Sequence, residues 1–338
     1  MITNRLHHGA ANTMERVQAQ LLAGKILSGL LGFCIGDALG VPVEFSPRSQ
    51  LQKTPVTGMQ GYGTHNQPPG TWSDESSLMF CVADALCWQD NIQSDALVDE
   101  TANLLSCWYE GQVWTPHGQR FDIGFTTAKA IAHLREGISP QLSGETEEMS
   151  NGNGSLVRTL PFVFFHHLLP FPELLDRIHK ISQITHAHPR SQMACGFYVS
   201  IAIDLLRGYD PKIAYLQGIA RIEPFYWHPP YNDQLSQFQN IIGGNLAELS
   251  QAEIHSGGYT VHTLEAVLWC LLNSSSYTET VLKAVNLGES TDTIAALAGG
   301  LAGLYYGVKD IPADWMQKIA RFYDILALSE RLAKKILS

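Results

Sequence analysis

Apolar residues recur every three or four positions over residues 17–39, 97–108, 126–134, 156–169, 191–206, 259–272 and 315–336, the spacing that lines one face of an α-helix. No run alternates as a half-buried strand would, so the pattern predicts an all-α chain folded as a single compact multi-helix domain. In the first of these segments Gly32, Gly36 and Gly40 fall every four residues, which strips one helix face of side chains. Gly299 and Gly303 strip a later helix in the same way, and the two bare faces are expected to pack together. The polar, Gly/Ser-rich stretch 137–154 reads as a long loop, of a length that is commonly functional or mobile.

Two of the apolar helices open on clusters of side-chain oxygens. Gly288-Glu289-Ser290-Thr291-Asp292-Thr293 leads into the apolar run 294–306, and Gly70-Thr71-Trp72-Ser73-Asp74-Glu75-Ser76 leads into 78–88. Ser, Thr and Asp before a helix ordinarily cap its free N–H groups. Two such mouths facing each other would do more, because several carboxylates brought together need protons or hard cations between them. A further acid, Glu44, follows the helix-ending Pro42 and sits between Val43 and Phe45, where it is either at the surface or costly to bury. Three more polar patches precede helices: Phe121-Asp122-Ile123-Gly124, Asn151-Gly152-Asn153-Gly154-Ser155 and Thr185-His186-Ala187-His188-Pro189-Arg190-Ser191. Each is ordinary turn and cap chemistry or, taken together, a set of helix mouths suited to a ligand carrying a pyrophosphate.

Composition narrows the chemistry. A formal charge of −10 leaves no basic stripe to track a phosphate backbone, so nucleic acid is not expected as the main partner, whereas a charged protein substrate fits. Charged residues make up 16% of the chain, below the ~25% of an average protein, which favours a compact globule over a disordered chain. Six cysteines lie singly, without a C-x-x-C pair, and read as reduced core residues of a cytoplasmic protein. His186 and His188 have no nearby Cys or His pair to complete a zinc site. Residues 1–14 lack the apolar core of a secretory leader. No membrane span is expected either, since the longest candidate run, 294–306, is too short for a bilayer.

In this order, the patches together resemble the ADP-ribosylglycohydrolase family. The resemblance covers about residues 22–310 and is carried by GDALGVPVEF (36–45), GTWSDESSLM (70–79), FDIGFTTAKAI (121–131), NGNGSLVRTLP (151–161), THAHPRS (185–191), GGYTVHTLEAVLW (257–269) and AVNLGESTDTIAALAGGLAG (284–303). It implies an all-α fold with a dimetal cleft holding two Mg²⁺ or Mn²⁺ ions. It also implies hydrolysis of the bond from ribose C1 to an amino-acid side chain of a mono-ADP-ribosylated protein, with arginine the acceptor. Matched position by position, Ser73, Asp74, Glu75, Asp292 and Thr293 fall on metal ligands, Glu44 on the acid over the metals, and Asp122 on the acid near the target-side ribose. Asn151, Asn153, Gly154, Ser155 and His186 fall on the ADP-ribose cradle, and Gly258 and Tyr259 on its nucleotide end.

The chain departs from that pattern at Ser290, where the family has a metal-ligand Asp. Losing one charge implies weaker cation binding, a single ion, or an ADP-ribose-binding protein with impaired catalysis. Glu289 is adjacent but points differently at a helix start. Residues 1–18 precede the family-like domain, 19–338, and read as an extension, flexible or partner-binding. One partner would be a cognate ADP-ribosyltransferase toxin whose active site such an arm fills, making the chain an immunity protein. The residues leave open the acceptor side chain and target, Mg²⁺ against Mn²⁺, the oligomeric state, and which of Glu44 and Asp122 takes the proton from water.

Overall fold

The computed structural model describes the backbone of residues 2–89 and 92–338 and side chains from Val17 onward. The expected partner-binding arm, 1–18, therefore lies almost wholly outside the described side chains. The longer helices are α1 (Ile2–Gly40), α2 (Asp74–Trp88), α3 (Ala96–Tyr109), α4 (Phe125–Arg135), α5 (Phe171–Gln183), α6 (Pro189–Leu206), α7 (Pro211–Ile222), α8 (Thr260–Leu272), α9 (Tyr277–Val285), α10 (Thr291–Tyr306) and α11 (Phe322–Leu337). Among the described residues there is no strand, only isolated bridges between Tyr62 and Gln67, Glu145 and His186, and Gly152 and Tyr259. The chain is all-α, as its periodicity predicts.

The glycine faces meet. A Cβ added to Gly32 would lie 2.5 Å from the Gly299 carbonyl oxygen, at Gly36 1.9 Å from that of Ala295, and at Gly40 2.3 Å from the Asp292 Cα. As the α1 number rises its partner number falls, so α1 and α10 run antiparallel with backbones in contact. The end of α1 is thereby delivered to the mouth of α10, where the Thr291 hydroxyl donates to the Gly40 carbonyl at 2.8 Å.

Helix α1 corrects the expectation that no segment is long enough for a bilayer. Within Val17–Val43 an 18-residue window reaches a mean hydropathy of 1.8 and passes by length and composition, yet 89% of it is buried inside the fold. Glycine, serine and Asp37 interrupt the apolar letters, so no continuous run marks it in the sequence.

Segment 156–169 forms short 3₁₀ pieces, Leu156–Arg158 and Leu160–Phe165, instead of the expected α-helix. Pro161 withholds an N–H there, and residues 156–165 are all buried. The expected 315–336 helix is broken: Arg321 is left-handed (φ 56°), and the Ala320 N–H is drawn off to the Gly70 carbonyl. The loop 137–154 is pinned by Ser143 donating to the Ile184 carbonyl at 2.7 Å and by paired backbone bonds between Glu145 and residues 185 and 187.

Candidate active site

Three helix ends converge. Asp37, on the last turns of α1, accepts from the Ser73 N–H, the Ser76 N–H and the Ser76 hydroxyl at 2.6–3.0 Å, and so caps α2 from outside. Ser73 is the N-cap itself, its hydroxyl accepting from the Glu75 N–H at 3.2 Å. At the mouth of α10 the Thr293 hydroxyl makes a short hydrogen bond to Glu75, across 218 positions of sequence. The two oxygen clusters, far apart in the chain, form one site. A strap then lays Glu44 over it: Phe45 N–H donates to the Glu289 carbonyl at 2.7 Å, and Glu289 N–H to Ser46 at 2.9 Å. Glu289 turns its own side chain outward, at a left-handed φ of 62°.

The acids crowd each other in a dry setting. Asp37, Glu44, Asp74, Glu75 and Asp292 are each 8% exposed or less. Burial first, and neighbouring carboxylates second, hold Asp74 and Glu75 well above the usual carboxylate range; Asp292 is raised for the same reasons. Asp37 is pushed up to about 7 by burial, against the pull of its four hydrogen bonds. Glu75 Oε2 and Asp292 Oδ2 are buried with no hydrogen-bond partner. Orphaned carboxylate oxygens at two helix mouths, with no thiolate nearby, make a donor set that fits hard divalent cations.

A residue that sequence reasoning missed stands beside them. His65 hydrogen-bonds Glu44 and lies 3.9 Å from Asp122 Oδ2, and its ring packs 5.4 Å from Phe121. Glu44, His65 and Asp122 each offer an atom within 4.8 Å of the others. The Glu44 contact raises the His65 pKa, while burial raises that of Glu44. His65 sits in a Gln/Gly/Pro-rich loop with no helix to flag it. Asp122 accepts from its neighbour, the Ile123 N–H, at 2.8 Å, and the Gly124 N–H reaches Asp74 at 3.4 Å.

The third region is a cradle made by 151–155. Asn153 N–H donates to the Gly258 carbonyl and Thr260 N–H to the Asn151 carbonyl, both at 3.0 Å, tying the loop to the start of α8. The Asn151 and Ser155 side chains, expected to face a ligand, are taken up by the protein. Asn151 bonds Glu148 and Ser191, and the Ser155 hydroxyl accepts from Ser182 at 2.9 Å. What the loop can offer is backbone: Gly154 packs against His186, with 3.1 Å between its virtual Cβ and the ring. His186 accepts or donates to Thr185 at 2.7 Å, and burial lowers its pKa to about 3, so the imidazole is neutral. Tyr259 caps the far end, with the Arg190 guanidinium 5.7 Å from its ring. Asn153 links cradle to mouth, its amide donating to both Thr263 and Ser290 at 3.1 Å. A separate groove of about 860 Å³ between α1 and α11, lined by Ala23, Leu27, Leu326 and Ala333, carries none of these groups.

The same layout is matched elsewhere. A family model described as ADP-ribosylglycohydrolase matches residues 18–338. The ADP-ribosylarginine hydrolase Tri1 of Pseudomonas putida (strain GB-1) is 32% identical over 304 residues, covering 90% of this chain and 76% of that protein. The ADP-ribosyl-[dinitrogen reductase] glycohydrolase of Rhodospirillum rubrum is 26% identical, covering 87% and 90% respectively. A solved structure titled "ADP-ribosylglycohydrolase-related protein complex" superposes with a TM-score of 0.74 at 27% identity, over 93% of this chain and 98% of that one. With a cluster of buried acids at paired helix mouths and a family match along nearly its whole length, this chain belongs to the ADP-ribosylglycohydrolase family of enzymes.

Proposed function

We propose that the protein hydrolyses the bond between ADP-ribose and an arginine side chain of a modified protein, with divalent-cation dependence. The observation that carries this reading is the pair of orphaned buried oxygens, Glu75 Oε2 and Asp292 Oδ2, on helix mouths joined through Thr293. Ser73, Asp74, Glu75, Asp292 and Thr293 would hold Mg²⁺ or Mn²⁺. Bound there, a hard cation supplies Lewis-acid polarisation of the ribose hydroxyls. The backbone of 151–155, neutral His186 and the Tyr259 ring would seat the diphosphate and nucleotide end. Glu44, raised in pKa and paired with His65, accepts the proton of the attacking water. The C1–N bond breaks as the new C1–O bond forms, and the leaving guanidine nitrogen takes up a proton, which His65, hydrogen-bonded to Glu44 and raised in pKa by it, would supply. The arginine acceptor is supported by the similarity to ADP-ribosylarginine hydrolases.

The test is incubation with mono-ADP-ribosylated protein and Mg²⁺ or Mn²⁺. Release of ADP-ribose from arginine conjugates is expected; no release from arginine, serine or nucleobase conjugates with either ion would defeat the proposal. A second reading is favoured by one observation: the Ser290 hydroxyl is spent between Asn153 and Thr293 and brings no charge. On that reading the chain holds ADP-ribose but turns it over poorly, and calorimetry would find tight ADP-ribose binding beside negligible hydrolysis.

A further inference from the structure

Three aromatic side chains that the fold turns outward stand on the short segments that carry the acids of the cleft. Phe45 is 69% exposed, Tyr62 60% and Phe125 84%. Phe45 follows Glu44, Tyr62 lies in the loop that carries His65, and Phe125 follows Gly124, whose N–H bonds Asp74. Phe121 lies behind them, next to Asp122 and packed on His65. Two of the exposed rings stand on backbone that non-glycine residues avoid, with φ of 63° at Phe45 and 66° at Tyr62. The loop that presents Tyr62 is jammed beneath the end of α1: a Cβ on Gly63 would lie 1.9 Å from the Pro42 carbonyl oxygen. None of these three rings is needed to fill the core, and the hydrolytic reading gives them no part.

We infer that Phe45, Tyr62 and Phe125 form a docking rim for the polypeptide that surrounds the modified side chain, and that the segment it fits is basic. The inference rests on the hydrolytic reading above. Charge argues for the occupant: Phe45 is next to Glu44 and Phe125 three positions after Asp122, the chain carries a formal −10, and exposed rings beside acids favour arginine and lysine stems by cation–π contact and by steering. Rings that stay exposed on strained backbone beside a cleft are also the residues that anchor protein contacts.

The experiment compares two substrates, an ADP-ribosylated protein and free ADP-ribosyl-arginine, with wild type and with the double variant Tyr62→Asn/Phe125→Ser. The hydrolytic reading gives neither side chain a part, and asparagine is among the residues that accept the positive φ of 66° (ψ −119°) at 62. We expect kcat/KM on the protein to fall about tenfold or more, with the small conjugate within about twofold. Tyr323→Asn, which removes an 81% exposed ring on α11, should leave both unchanged. ADP-ribosylated peptides with basic flanks should outcompete those with acidic flanks, less so as salt is raised. An unchanged protein-to-conjugate ratio in the double variant, or no preference between flanks, overturns the rim while leaving hydrolysis standing. Wild type inactive on both substrates overturns the two together.

Discussion

The Asn153 amide donates to the Ser290 hydroxyl at 3.1 Å, and Ser290 donates onward to Thr293 at 3.0 Å, which in turn bonds Glu75. The 151–155 loop and the mouth of α10 are thus joined by one chain of hydrogen bonds that passes through Ser290, where the resemblance implies an acid. Ser290→Asp would keep an acceptor for Asn153 and add a charge next to the orphaned oxygens. We expect Mg²⁺ or Mn²⁺ affinity to rise on the order of tenfold and turnover to rise with it. Calorimetric cation titration alongside the hydrolysis assay checks both, and no gain in either would count against the ligand assignment.

The cation-free protein should lose stability as pH rises. Asp37, Glu44, Asp74, Glu75 and Asp292 all have folded-state pKa values raised chiefly by burial. Between the unfolded and the folded value the native state holds protons that the unfolded chain has released, so stability falls across that window. For Asp37 the window runs from 3.8 to about 7. The Tm gain on adding Mg²⁺ should therefore widen from about pH 5 to pH 7.5, since cations replace the lost protons. Melting curves with Mg²⁺ and with chelator measure this; a gain that stays flat or shrinks over that range contradicts it.

The α1–α10 seam sets a sharp contrast between glycines. Gly36→Ala would drive a methyl to 1.9 Å from the Ala295 carbonyl oxygen, whereas Gly24→Ala, on the same helix, meets nothing within 4 Å. We expect Gly36→Ala to cost roughly 2–4 kcal/mol and Gly24→Ala to be neutral or stabilising by about 0.5–1 kcal/mol. Denaturant midpoints would separate them, and equal effects would show that the seam is slack.

Arg158 is fully buried and bonds the carbonyls of Gly154, Ile181 and Ser182 and the Thr185 hydroxyl, with distances from 2.7 to 3.3 Å. It thereby fastens the cradle to the C-terminal end of α5, whose dipole favours the cation. Arg158→Met takes a donor from the Gly154 and Ile181 carbonyls and the Thr185 hydroxyl, while the Ser182 carbonyl keeps the Thr185 and His186 N–H groups, and should cost about 3 kcal/mol. ADP-ribose affinity should drop even under conditions where the variant is folded, because the 151–155 backbone is no longer fixed. Calorimetry on the folded variant decides, and unchanged affinity would make Arg158 a staple of α5 alone.

Long, strongly periodic segments were legible from their letters alone: α3, α4, α6 and α8 fall where the spacing puts them, and the Gly32 and Gly299 stripes foretold the seam. Helix α5 was not, because its apolar face, which also holds the buried His179, alternates with a Glu, Asp, Arg and Lys face, so no continuous hydrophobic run marks it. The 3₁₀ pieces at 156–165 differ for another reason: the spacing there fits an α-helix, but Pro161 withholds an N–H and no polar face fixes the helical phase. In the site, Asp74, Glu75, Asp292 and Thr293 announced themselves at helix starts. Asp37 stayed hidden inside the α1 pattern, and His65 came from a loop whose partners are distant in sequence and are set only by the folded chain.

The seam in which Gly40 meets Asp292 has one more outcome. Because backbone touches backbone there, the carboxylates at the helix ends are fixed to a frame with no slack, whereas the rings and acids that would face a target hang on the turns at 44–46, 62–65 and 121–125. On the proposed reading the cation frame and the docking rim are therefore separate parts, and the exposed positions 45, 62 and 125 can be rewritten toward a new target so long as Glu44, His65 and Asp122 of the same turns are kept.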